Sequence, residues 1–237
     1  MRQHVNPLSR IHQQPRPLPP VAELFADPGL PLHLDIGCAR GRLLIELAAL
    51  QPAWNHLGVE IRRPLVDAAE AERLQLGLVN LRLLFCNANV SLQPWLAQLP
   101  AGQLQRVSIQ FPDPWFKTKH HKRRVLQPPL LLALASALPE GGWLFLQSDV
   151  AAVITPMLEL CVASGCFDRP AGDACPWHTD SPLPVASERE RHALAHGLPV
   201  QRVLLLRNGA AVPTQEMLQA SLESRQQATD NPADSGP

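Results

Sequence analysis

Four polar residues stand at the ends of short apolar runs and carry groups suited to holding a small polar ligand: Asp35, Glu60, Asn87 and Asp113. Asp35 opens the turn Asp35-Ile36-Gly37-Cys38-Ala39-Arg40-Gly41. Glycine there lets the backbone approach a ligand closely, and the acid before it accepts from an ammonium group. Glu60 follows Gly37 by 23 residues, a place from which one carboxylate accepts both hydroxyls of a ribose. Asn87 either accepts from an adenine amino group or serves as a cap or turn before Val90. Asp113 lies between Pro112 and Pro114, which are expected to hold Phe111 and Asp113 extended and so present the carboxylate at a set position. A turn in which Asp113 bonds its own backbone is the plainer alternative. Trp115 and Phe116 beside it are either stacking platforms for a base or rim aromatics.

These residues need elements to position them. Leu32 to Gly37, His56 to Glu60, Leu81 to Cys86, Arg106 to Phe111 and Trp143 to Gln147 read as strands. Between them, Arg40 to Leu50, Pro64 to Gly77, Val90 to Leu99, Arg124 to Leu138 and Val150 to Ala163 read as helices. Strands alternating with helices predict an α/β fold, a mostly parallel, doubly wound sheet covered on both faces. Gln201 to Arg207 is expected to add a last, antiparallel strand. The expected organisation is a basic extended arm over residues 1–22, a catalytic domain over 23–212, and a polar, disordered tail over 213–237.

Twenty-one basic and 21 acidic side chains give 237 residues a formal charge of zero, but they are not evenly spread. Arg73 to Pro139 holds eight Lys/Arg against one acid, Asp113, and the arm adds Arg2, Arg10 and Arg16 with no acid. All three lysines (Lys117, Lys119, Lys122) fall in the run KTKHHKRR, from Lys117 to Arg124. Set beside a strand end, such a run makes a phosphate-binding rim whose affinity falls with salt. Met1 to Pro20 has no apolar core of a signal peptide, and no apolar run is long enough for a membrane span. A cytoplasmic protein is therefore expected. Five cysteines without a C-x-x-C pair predict neither a disulfide framework nor a zinc ribbon. Cys175 with His178, or His192 with His196, fall short of a four-ligand set, so no metal is expected.

The Asp35 to Gly41 turn is similar to the glycine turn of S-adenosylmethionine-dependent methyltransferases, with Ala39 where a second glycine is common. A dinucleotide fingerprint would need glycines this turn lacks. More of the chain resembles the bacterial tRNA (guanine-N7)-methyltransferases. The specific part is Phe111-Pro112-Asp113-Pro114-Trp115 with Lys117 and the HHKRR run. RQHVNPL at Arg2, LDIG at Leu34, GVE at Gly58, NLR at Asn80, GG-x-L-x-L-x-S-D ending at Asp149 and S-E-R-E at Ser187 to Glu190 also match. The resemblance implies a Rossmann-like class I fold and S-adenosylmethionine as methyl donor. It implies that Asp35, Gly37, Glu60, Asn87 and Asp113 line the donor site, with Asp113 catalytic. It further implies that Lys117, Asp149, Ser187, Glu188, Arg189 and Glu190 meet the tRNA, the methyl going to a variable-loop guanine, position 46. Lys119, Lys122, Arg123 and Arg124 would hold the RNA backbone.

Two departures stand out: Asn87 where the family often has Asp, and Ser187 for Thr. S-x-x-E is also a helix capping box, and Asp149 is placed to cap the following helix. Three other classes remain open at this point. A small-molecule methyltransferase has no use for the basic run, a nicotinamide dehydrogenase lacks its glycines, and a non-catalytic RNA-binding protein leaves the strand-end acids unexplained. The chain is expected to act as a monomer or homodimer.

Overall fold

A computed structural model of the chain describes residues 5–230. Arg2 and the rest of residues 1–4, with residues 231–237 of the expected tail, lie outside the described residues. One sheet contains β1 (Leu32–Ile36), β2 (Asn55–Glu60), β3 (Leu81–Phe85), β4 (Leu104–Gln110), β5 (Trp143–Ser148), β6 (Phe167–Asp168) and β7 (Gln201–Arg207), in the order β3-β2-β1-β4-β5-β7-β6. The first five strands run parallel, and β7 runs antiparallel to both β5 and β6. From β1 the chain builds outward to β3, then returns past β1 to β4. The order therefore reverses between β1 and β4, where such sheets bind ligands.

Apolar residues fill both faces. Helices α2 (Arg42–Leu50) and α3 (Arg63–Gln75) cover one side, burying Leu44, Leu47 and Val66 with Leu81, Leu83 and Phe145 of the sheet. On the other, α4 (Ala88–Leu96), α5 (Pro128–Ala137) and α6 (Ala151–Ser164) pack on Leu34, Ile36, Val107, Ile109 and Leu146. Every residue of β1 is buried, the mark of a parallel strand covered on both sides. A short α1 (Val21–Leu24) precedes the sheet, and α7 (Glu188–Ala195) follows the segment carrying Leu183 and Val185.

Several expectations change. Arg124 does not begin a helix: Thr118–Arg123 forms a 3-10 turn, Arg124 is extended, and α5 starts at Pro128. Proline tolerates the first helical turn but disfavours helix in the residue before it, so Pro128 sets the start. The tail does not begin disordered, because α8 (Gln215–Asp230) follows Thr214, whose hydroxyl accepts from Met217 N. Leu218 of α8 is buried, and Ser221 donates to the Ala163 carbonyl at the end of α6. One deeply buried leucine and a good cap hold a helix that overall polarity disguised.

The arm is not simply extended either. Turns occupy residues 7–14, and the segment docks on α4, with Arg16 N donating to Ser91 Oγ and Trp95 Nε1 donating to the Pro19 carbonyl. Arg16 also lies 4.6 Å over the Phe85 ring, a cation–π contact.

Candidate active site

The site is built at the C-terminal ends of β1, β2 and β4. Between β1 and α2 the chain turns through Gly37, Ala39 and Gly41, all with positive φ (+85°, +51° and +67°). At Gly41 a side chain would meet Leu83 at 2.3 Å as well as sit in a left-handed conformation, so glycine serves both the turn and the packing of the turn on β3. Ala39 occupies the same left-handed region at some cost.

Asp35 is buried, and Ser108 of β4 donates to its carboxylate at 2.6 Å. Behind Ser108, His33 Nε2 lies 2.9 Å from the same hydroxyl. Since the hydroxyl proton goes to Asp35, His33 is the donor to Ser108 Oγ. Burial pushes the Asp35 carboxyl up from 3.8 to about 6, against the lowering by Ser108 and Gln110. Burial likewise holds His33 well below its ordinary 6.5, so the imidazole that donates to Ser108 is neutral and carries its proton on Nε2.

Glu60 is equally buried, and its carboxylate is fully engaged. Oε1 accepts from Arg62 N and Nε at 3.0 and 2.9 Å, and Oε2 accepts from Ala39 N and Arg62 Nη2, both at 3.0 Å. Asn87 caps α4 by accepting from Asn89 N, while its amide nitrogen donates to the carbonyls of Pro7 and His12, each at 3.1 Å. An aspartate could not make the last two bonds, so the amide joins the Ser91 and Trp95 contacts in fastening the arm. Cys86 and Cys38 line the walls; burial pushes both thiols up, Cys86 to about 12, leaving them as small apolar surfaces.

Phe111 departs from expectation. Its φ is +46°, left-handed rather than extended, although proline follows it. Its N–H donates to the Gln147 carbonyl at 2.7 Å, so the β4–β5 pairing reaches this residue and the backbone turns immediately after that bond. Strain of this kind persists where the surroundings over-determine it, and it gathers at functional sites. The consequence is a sharp bend that sets Asp113 over the strand ends, where it lines two adjoining cavities.

The smaller cavity, about 120 Å³, is walled by Glu60, Ile61, Cys86, Asn87, Ala88 and Asp113, with Val5 and Pro7 of the arm on its rim. The larger cleft, about 490 Å³, lies among Asp35, the Gly37 turn, Gln110, Asp113 and the Ser187–Arg189 segment. Gly37, Arg62, Phe111 and Asp113 border both. Two buried carboxylates at strand ends, an apolar slot and a glycine turn between them suit the size and polarity of S-adenosylmethionine, with the Glu60 carboxylate held by Arg62 and Ala39 N.

The S-E-R-E segment divides into two roles. Ser187 and Glu190 form a reciprocal capping box at the start of α7, and Glu190 is buried against Arg202, with Oε1 2.7 Å from Nη2. Ser187, Glu188 and Arg189 face the cleft, Glu188 within reach of Arg40 and Arg42. Asp149 does not cap α6, which starts after Val150 without a side-chain cap; Asp149 pairs with Arg189 instead. Lys117, Lys119 and Lys122 are exposed on and beside the 3-10 turn. Arg123 differs, lying 5.0 Å from the Trp115 ring centre and bordering the smaller cavity. Arg124 is partly buried near Glu159.

Sequence reasoning missed Arg62, Gln110, Ser108 and His33. The alternation of β4 puts Ser108 and Gln110 on the face of Asp35, a signal readable only once β1 and β4 are known to pair with Asp35 opposite Ser108.

Residues 30–203 match the Methyltransf_4 family, described as "Putative methyltransferase". A protein of Parasynechococcus marenigrum (strain WH8102) called tRNA (guanine-N(7)-)-methyltransferase is 62% identical over 99% of this chain and 98% of its own length. One of the same name from Synechococcus sp. (strain WH7803) is 62% identical over 98% and 97%. Among solved structures, the 16S rRNA methyltransferase KamB aligns over 79% of this chain and 91% of its own with a TM-score of 0.51. At 14% identity that likeness is one of fold. With the strand-end acids, the glycine turn and the Phe111–Trp115 bend gathered around these two adjoining cavities, and relatives of 62% identity over nearly the whole chain, the chain belongs to the tRNA (guanine-N7)-methyltransferase family.

Proposed function

We propose that the protein transfers a methyl group from S-adenosylmethionine to N7 of the variable-loop guanine, position 46, of tRNA. The observation that carries this reading is that Asp113 borders both cavities at once. Glu60 and the apolar slot of Ile61, Cys86 and Ala88 would hold the adenosine, and Asp35 with the Gly37 turn the amino-acid end. The donor supplies an electrophilic methyl on sulfur.

Guanine N7 carries an in-plane lone pair and no proton, so the chain need not provide a base to uncover it. What it must provide is orientation. Asp113 would accept from guanine N1–H and its exocyclic amine, fixing the base and favouring the cation that forms as N7 is alkylated. The guanine must leave its stack to reach this depth. Ser187, Glu188 and Arg189 line the wall such a base meets, with Asp149 holding Arg189 in place. Lys117, Lys119 and Lys122 would grip phosphates, contacts that position rather than specify. Glu190 serves by fixing the start of α7.

The reading is tested by incubating the protein with labelled methyl donor and unmodified tRNA, then digesting to nucleosides. Label in 7-methylguanosine supports it; label in any other nucleoside refutes it.

A further inference from the structure

Glu60 has no acceptor capacity to spare. An ionised carboxylate offers about four lone-pair sites, and all are taken: two by the Arg62 side chain, one by Arg62 N and one by Ala39 N. A ribose diol needs two of the same sites. The backbone donors belong to the turn and to the entry of α3, so the guanidinium is the partner that can leave.

Its position favours departure in one direction. The Arg62 side chain is about a third exposed while Glu60 is buried, and it borders both the smaller cavity and the larger cleft. Asp113 is the next carboxylate acting on it. Arg63, beside it, is occupied with the Phe85 ring at 4.5 Å and with Asp67.

We propose that Arg62 is a positioning residue coupling the two ligand sites: its guanidinium competes with the donor ribose for Glu60, and once displaced it turns toward Asp113 and the RNA side of the cleft. There a guanidinium meets phosphate in the bidentate geometry it favours. The proposal rests on Glu60 being the ribose partner. It makes binding of donor and tRNA mutually reinforcing, because an RNA phosphate that draws Arg62 away also frees Glu60, and linkage requires the effect to be equal in both directions.

The experiment measures tRNA affinity with and without saturating S-adenosylhomocysteine, and S-adenosylhomocysteine affinity with and without tRNA. Each ligand is expected to tighten the other by the same factor, about 5-fold or more. In Arg62→Gln, S-adenosylhomocysteine alone should bind more tightly than in the wild type, while tRNA affinity becomes weaker and indifferent to the donor product. The gain should vanish for an analogue lacking both ribose hydroxyls. Arg62→Lys, which cannot bridge both oxygens, should fall between. Independent binding in the wild type, or coupling preserved in Arg62→Gln, overturns the proposal. Glu60→Gln separates the two layers: undiminished S-adenosylhomocysteine affinity there removes the ribose assignment itself, whereas a weakened one leaves only the Arg62 step at issue.

Discussion

Ser108 donates a 2.6 Å hydrogen bond to the Asp35 carboxylate while its own oxygen is held 2.9 Å from His33 Nε2. This is a chain of three side chains running through the sheet from a neutral histidine to the floor of the cleft. The carboxyl it supports is raised to about 6 by burial, and only the ionised form attracts an ammonium group. Donor affinity is therefore expected to be full at pH 8 and to fall as the pH drops through about 6. Ser108→Ala removes one of the lowering influences and should shift that fall to higher pH, leaving affinity at pH 8 within a few-fold of wild type. Titration calorimetry across pH 5.5–8.5 checks it; an unshifted curve would detach Ser108 from the site.

The same burial costs stability. A carboxyl whose folded pKa is raised from 3.8 to about 6 stabilises the fold less as pH rises through that interval, because the folded state then gives up its proton last. At pH 7.5 the corresponding penalty is on the order of 3 kcal/mol. Asp35→Asn should thus raise the melting temperature at pH 7.5, keep little of that gain at pH 4, and lose donor binding. A melting temperature lowered at both pH values would contradict the assignment.

Ala39 sits at φ +51° where Gly37 and Gly41 flank it with the same sign. Relieving a left-handed alanine returns about 1 kcal/mol, partly offset by the freedom glycine gains when unfolded. Ala39→Gly is expected to be neutral to slightly stabilising in denaturant titration, with turnover retained.

The capping box and the buried Glu190–Arg202 pair at α7 predict stability losses, which for Glu190, away from the cleft, come without a binding loss. Ser187→Ala should cost about 1 kcal/mol of stability. Glu190→Gln leaves Arg202 buried without its charge partner and should cost about 3 kcal/mol or more. Below the melting transition, the KM for tRNA should change little in Glu190→Gln and rise in Arg189→Gln, which a steady-state comparison distinguishes.

Exposed lysines and the stacked arginine should behave differently. Neutralising Lys119 and Lys122 together should weaken tRNA binding and lower the slope of log affinity against log salt by about 0.7–0.9 for each charge removed. Arg123→Gln should weaken donor affinity as well, since Arg123 borders the smaller cavity over Trp115.

Much of this was legible in the residues. The five parallel strands are short, largely buried runs, β1 and β2 buried along their whole length, and Asp35, Glu60, Asn87 and Asp113 fall at or just beyond their ends, so sheet and cleft follow from one pattern. What escaped depends on partners far away in sequence. Phe111 turns left-handed at the point where its N–H bonds Gln147 on β5, and α8 is anchored through Leu218 and Ser221. The arm is fastened by Asn87, which local spacing presents equally well as an adenine contact. Likewise the Arg62 fork on Glu60 and the Ser108 support of Asp35 appear only once backbone and strand order are fixed.

The central claim is methyl transfer to guanine N7, and replacing that atom tests it most directly. A tRNA carrying 7-deazaguanosine at position 46 keeps the hydrogen-bonding edge offered to Asp113 but has carbon where the nucleophile should be. It is expected to bind with near-normal affinity and to accept no methyl group, while the matched guanosine tRNA is methylated. Transfer to the 7-deaza tRNA at a comparable rate would contradict the account.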